Sequence, residues 1–229
     1  MPPTNSPIKW KNFDFSKMKL GKEKRKVKLY YQVTETSLMP LHIQLPHMYM
    51  PFNVRQNDNK SSWSNYKEYQ LDCSLQNKDL TEPFDNFMTK LNEKIANLIN
   101  DFIEFQITCT ENNCNSVMRK NGNYKPLLKL NVKRDADGDF ESFIFNKLVI
   151  DEKIQNQKVV LKDSTIETVL KKGIVFIPSI ECAKVYFFKD NYGTIWDLVQ
   201  MLIFPEVEKN VNDSTSENLK NTYTKYAFN

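Results

Sequence analysis

The sequence predicts an α+β protein, mostly antiparallel β, folded as a partly closed barrel with one long amphipathic helix. Three observations predict it. Apolar and polar residues alternate with period two in several separate runs. DADGD (135–139) and DNYG (190–193) supply turns between consecutive strand-like runs, which favours antiparallel hairpins. One stretch alone, 82–105, repeats its apolar residues at helical spacing.

Residues 1–24 hold three prolines and no sustained periodicity, and read as a basic flexible arm. KVKLYYQV (26–33) is the first strand. PLHIQLPHMYMPF (40–52) has proline at both ends and inside, which suits an extended edge segment or ordered loop. RQNDNKSSWSN (55–65) is polar and turn-rich, a mobile loop. KEYQLDCSL (67–75) sets Tyr69, Leu71, Cys73 and Leu75 on one face of a half-buried strand. In the helix, Phe84, Phe87, Met88, Leu91, Ile95, Leu98, Ile99 and Phe102 form one stripe, and Thr81 reads as its cap.

After a loop over 110–124, KPLLKLNVKR (125–134) points Leu128, Leu130 and Val132 one way and Lys129, Asn131 and Lys133 the other. FESFIFNKLVI (140–150) returns, with Phe143 and Phe145 read as a core stripe. KVVL (158–161) is a short strand, and DSTIETVLKKG (163–173) a short helix stopped by Gly173. IVFIPSIECAKVYFFK (174–189) and TIWDLVQMLIF (194–204) are strands around DNYG. The domain therefore runs from 25 to 205, and the polar tail, 206–229, reads as disordered.

Several chemistries find no support. The five glycines are too scattered for a phosphate-cradling loop. His42 and His47 have Pro46 between them and cannot share a helical face. DADGD fails as a calcium loop, because counting from Asp135 puts Phe140 at position six and Asn146 at position twelve. No cofactor, metal or catalytic role is expected. No apolar run is long enough for a membrane-spanning helix, and the four scattered cysteines read as reduced thiols of an intracellular protein.

Charge is unevenly placed. Residues 1–31 carry nine Lys and Arg against two acids, a net of +7, so the remaining 198 residues sum to −3. A basic arm on a slightly acidic body points to a polyanion. Rings and cations also recur side by side, the pairing that an unstacked strand with a charged backbone requires. The candidate contacts are Arg25, Lys26, Lys28, Tyr30 and Tyr31; Trp63 and Tyr66; Lys129, Lys133 and Arg134; and Tyr186, Phe188, Lys189 and Tyr192. Trp63 sits in a polar loop and reads as exposed, whereas Trp196 adjoins an apolar strand and reads as buried. Of the adjacent Tyr30 and Tyr31, one faces outward.

The order of motifs carries a resemblance. MYMPFNV (48–54) leads to YQLDCSL (69–75), the long helix, KPLLKLNVK (125–133), and a closing Y-G-x-x-W-x-x-x-Q run at Tyr192, Gly193, Trp196 and Gln200. Over roughly residues 48–205 this resembles the single-stranded DNA-binding proteins of large double-stranded DNA viruses. The resemblance implies an OB-type barrel that coats unwound viral DNA without catalysis. Its partner would be single-stranded DNA, with RNA as the other polymer, and copies would associate along the strand at a replication site in host cytoplasm or nucleus. The chain departs from many such proteins in its tail, which ends YAFN and is not strongly acidic. The alternative is a structural or scaffolding protein of a virion or replication site that uses the basic arm.

Overall fold

The computed structural model describes residues 6–23, 26–57, 66–102, 108–110, 113–120, 122, 125–150 and 153–204. Among them the strands are β1 (Ile8–Lys9), β2 (Met18–Glu23), β3 (Lys26–Gln32), β4 (Leu38–Pro40), β5 (His42–Gln44), β6 (Met48–Tyr49), β7 (Arg55–Asn57), β8 (Glu68–Leu75), β9 (Cys114–Asn115), β10 (Met118–Arg119), β11 (Leu127–Val132), β12 (Phe143–Ile150), β13 (Lys153–Val159), β14 (Val175–Phe188) and β15 (Asn191–Phe204). The helices are α1 (Thr81–Asn100) and α2 (Ile166–Val169).

Five strands close a circuit: β6 pairs β8, β8 pairs β11, β11 pairs β15, β15 pairs β14, and β14 pairs β6. The sheet is thus partly ring-like. Its strand orientation is mixed. β15 runs antiparallel to β14, but parallel to β9 at Tyr192–Gly193, to β11 at Asp197–Leu198 and to β12 at Phe143↔Gln200 onward. Hairpins join chain neighbours and are read from turn residues. The parallel partners of β15 are distant in sequence, and no local pattern announces them.

Inside the ring, alternation does what the sequence predicts. Tyr69, Leu71, Cys73, Leu128, Leu130, Val132, Trp196 and Leu198 are all buried. In α1 the stripe Phe84, Phe87, Met88, Leu91, Ile95 and Ile99 is buried as well, with Leu98 half-buried. Thr81 is the first helical residue, not a cap. Asn77 instead accepts a hydrogen bond from the Asp79 N–H at 2.9 Å, starting a short 3-10 turn that runs into α1.

Other details differ from the sequence reading. Residues 8–23 lie against the body: Trp10 meets Phe84 and Phe87 edge-on with centroids 5.6 and 5.8 Å away, and β2 pairs β3 throughout. The proline-rich 40–52 segment is not an edge, since β5 lies between β1 and β14. The last hairpin turns at Lys189–Asp190, so only Asp190 of DNYG lies in the turn and Asn191–Gly193 belong to β15, with Lys189 at φ +53°. Ile144, not Phe143 and Phe145, faces the core of β12, and both rings are half-buried on the other side. The strand expected at 158–161 is the end of β13, and the helix expected at 163–173 is reduced to α2. The tail 206–229, helix residues 103–105, Arg25 and Trp63 lie outside the described residues.

Candidate nucleic-acid interface

The outer face of β8, β11, β15 and β14 is built by the same alternation that fills the core. Where Leu128 and Leu130 point in, Lys129 and Asn131 point out. Register then aligns neighbours: Lys129 lies opposite Asp72, and Asn131 lies between Gln70 and Asp197. β14 joins this face through an irregularity. Cys182 pairs Trp196 and Lys184 pairs Ile195, so Ala183 is an extra residue. Such a bulge resets alternation. It puts Lys184 and Tyr186 on the face of Glu181, while Cys182 and Val185 are buried.

The result is an open cleft of about 510 Å³. Among the described residues, Arg119, Lys129 and Lys184 supply three cations to its lining and Glu68 the one acid. Asn57, Gln70, Asn115 and Asn131 contribute amides, and Tyr186 and Trp196 contribute rings. Trp196 is only 2 % exposed, with its indole N–H donating to Thr194 Oγ1 at 2.8 Å. Tyr186 is half-buried and lies over Gly193, where a Cβ would stand 2.6 Å from the ring's Cζ. At the rim, Arg55 and Arg119 each donate to a different oxygen of buried Asp72. Burial, and the charges of Arg119 and Arg55, hold the Lys129 amine below its usual range, with Asp72 opposing.

From Gln70 and Asn131 in the cleft toward β5, the same face turns mixed in charge. Gln70 donates to Asn131 at 3.1 Å, and Asn131 donates to Asp197 at 3.3 Å. Burial pushes the Asp197 carboxyl up to about 6, against Asn131 and Lys133. Glu181 lies 3.2 Å from His42 and 3.5 Å from Lys133. Burial would raise the Glu181 carboxyl, but those two partners hold it below the usual range.

The chain is similar to phage single-stranded DNA-binding proteins. The protein from bacteriophage Enc34, in complex with single-stranded DNA, matches with a TM-score of 0.46 at 8% identity, over 82% of this chain and 94% of that one. A C-terminal truncation of the Enc34 protein gives 0.46 at 8%, over 83% and 96%. The protein gp2.5 of bacteriophage T7 gives 0.41 at 11%, over 73% and 97%. No protein-family model matches the chain, and no curated protein does.

Of the candidates named from sequence, the cleft gathers Lys129 and Tyr186. Lys26 is exposed and close: Val27 of β3 pairs Val185 of β14, beside Lys184 and Tyr186. Phe188, 63 % exposed, and Lys189 form the hairpin tip. Tyr66 is exposed, and its ring covers Gly138 in the DADGD turn.

The others have structural employment. Tyr31 and Tyr192 are core residues at 8 % and 1 % exposure, so the outward ring of the 30–31 pair is Tyr30. Tyr30 donates to Glu23, which also pairs Lys28 at 2.9 Å; burial and then Glu23 push the Tyr30 hydroxyl up to about 12. Lys133 is drawn to Glu141 at 3.2 Å and to Glu181. Arg134 is held by Asp163 and the Gly138 carbonyl, 3.7 Å over the Phe140 ring.

Arg55, Arg119 and Lys184 were not singled out from sequence. A signal existed for the first two: only four of the 32 basic residues are arginine. In a lysine-rich chain, an arginine marks a site needing a planar fork of donors.

Proposed function

We propose that the chain binds single-stranded DNA, without catalysis and with little sequence preference, along the cleft between β8, β11, β15 and β14. One observation carries the reading: three cations, four side-chain amides and the Tyr186 ring converge on one open cleft whose lining, among the described residues, holds a single acid. The cations suit a phosphate backbone, and the ring and amides suit the faces and edges of unstacked bases. Lys26 on β3 extends the positive track past Lys184. The five-strand ring is, in this reading, of OB type. The work of such a protein is to coat DNA opened for replication in a large double-stranded DNA virus, inside the host cell, with copies packed along the strand.

The test is binding of a fluorescent oligo(dT) to the full chain across a salt series, beside a duplex and an oligo(U) of the same length. Affinity for the single strand should exceed that for duplex and fall steeply with salt, by about 0.7 in the log–log slope for each phosphate neutralised. Lys129→Ala with Lys184→Ala should make that slope shallower. No binding at low salt would overturn the proposal.

A further inference from the structure

Three chain-distant residues meet at the cleft rim in an arrangement that electrostatic attraction to a polyanion does not by itself require. Arg55 comes from β7, Arg119 from β10 and Asp72 from β8 between them. Asp72 is 3 % exposed, and its two oxygens are divided: Oδ2 accepts from Arg55 Nη2 and Oδ1 from Arg119 Nη2. Each arginine side chain is nevertheless about half exposed, at 56 % for Arg55 and 50 % for Arg119. A guanidinium has five N–H donors in a fixed fork. One contact to the carboxylate tethers each guanidinium through a single nitrogen and uses one of its five donors. Lys129 lies opposite Asp72 in register on β11.

We propose that Arg55, Arg119 and Lys129 form a seat for one phosphodiester group of the bound strand, and that Asp72 is its positioning residue. This rests on the strand-binding reading above and names the first fixed point within it. Three cations face one carboxylate, a surplus of two positive charges. Burial first, and then the charges of Arg119 and Arg55, lower the Lys129 amine against Asp72. An incoming phosphate offsets the surplus of positive charge. Two forks held on one carboxylate present donors at a set spacing, so the phosphate meets them already oriented, and less side-chain freedom is lost on binding.

Asp72 gives the experiment a sign. As a negative charge beside a polyanion, it should weaken binding, and Asp72→Asn should tighten it. As a positioning residue, it should strengthen binding, and Asp72→Asn should weaken it. The full chain, wild type and Asp72→Asn, is titrated with fluorescent oligo(dT) across a salt series, with circular dichroism melting as the check on folding. We expect Asp72→Asn to bind about fivefold to tenfold more weakly, with a log–log salt slope shallower by about 0.7. Partial unfolding would lower the active fraction without changing that slope. Equal or tighter binding by folded Asp72→Asn overturns the seat while leaving strand binding intact. A wild-type chain that fails to bind at low salt overturns both.

Should Asp72→Asn not fold, the cycle of Arg55→Ala and Arg119→Ala decides. One shared phosphate predicts that either single change costs most of what the double costs. Additive losses would mean two independent contacts and no seat.

Discussion

Gly193 shows how one atom sets the shape of the cleft. Its backbone φ is ordinary, so conformational freedom is not why glycine suits this position. The reason is space: a Cβ would stand 2.6 Å from Cζ and from the hydroxyl oxygen of Tyr186, its partner on β14. Those atoms are the far end of a side chain that can swing, so Gly193→Ala should fold normally and displace the ring. Tyr186→Ala should cost roughly 1–3 kcal/mol of oligo(dT) binding. Gly193→Ala should lose a substantial part of that with little change in melting temperature. Unchanged affinity in Gly193→Ala would show that the ring's resting place is immaterial. The sequence displays Tyr186 and Gly193 only seven positions apart, but their contact depends on the turn falling at Lys189–Asp190.

Across the sheet, register assembles a row that no single strand contains. Gln70, Asn131, Asp197, Glu181 and His42 are successive cross-strand neighbours on β8, β11, β15, β14 and β5. Asp197 is the costly member. Burial raises its carboxyl from 3.8 to about 6, with Glu181 adding to the shift and Asn131, Lys133 and Lys26 opposing it. A raised acid binds its proton more tightly in the folded state, so the unfolded state loses protons first as pH rises. Stability from this group is therefore present below about pH 4 and is lost as pH climbs through 6. Asp197→Asn keeps an oxygen to accept from Asn131 and removes the charge. Its melting temperature should match wild type near pH 4 and exceed it by several degrees at pH 7 to 8. A difference that does not vary with pH would contradict the buried-charge account.

For the whole molecule, the decisive feature is how the N-terminal segment is used. The sequence reads 1–24 as an arm, because it holds six lysines, three prolines and no sustained periodicity. The fold recruits its few apolar residues: Phe13 packs on Tyr31, and Phe13 and Phe15 lie on Phe87 of α1 at 5.7 and 5.6 Å. Three rings spaced along a polar segment have no helical or strand period, which is why the pattern hid them. Deleting residues 1–17 should strip this cover from α1. We expect a lower melting temperature, by roughly 1–3 kcal/mol of stability per large ring lost, together with weaker strand binding at low salt. Unchanged melting would show that the segment does not hold α1.

What the sequence determined by itself is which side chains face in along β8, β11 and α1; on β12 and β15 it misplaced Phe143, Phe145 and Tyr192. Period-two and period-3.6 patterns are local, and burying apolar surface enforces them, so the inward faces of β8, β11 and α1 are legible in the sequence. Tertiary structure alone decided which outward residues became neighbours. Arg55, Asp72 and Arg119 meet because β7, β8, β11 and β10 are hydrogen-bonded side by side. Lys184 and Tyr186 join that face through an extra residue at Ala183 that carries no glycine to announce it. Strand pairing is chosen by the total burial of the closed ring, a sum over distant segments, and no window of sequence contains that sum.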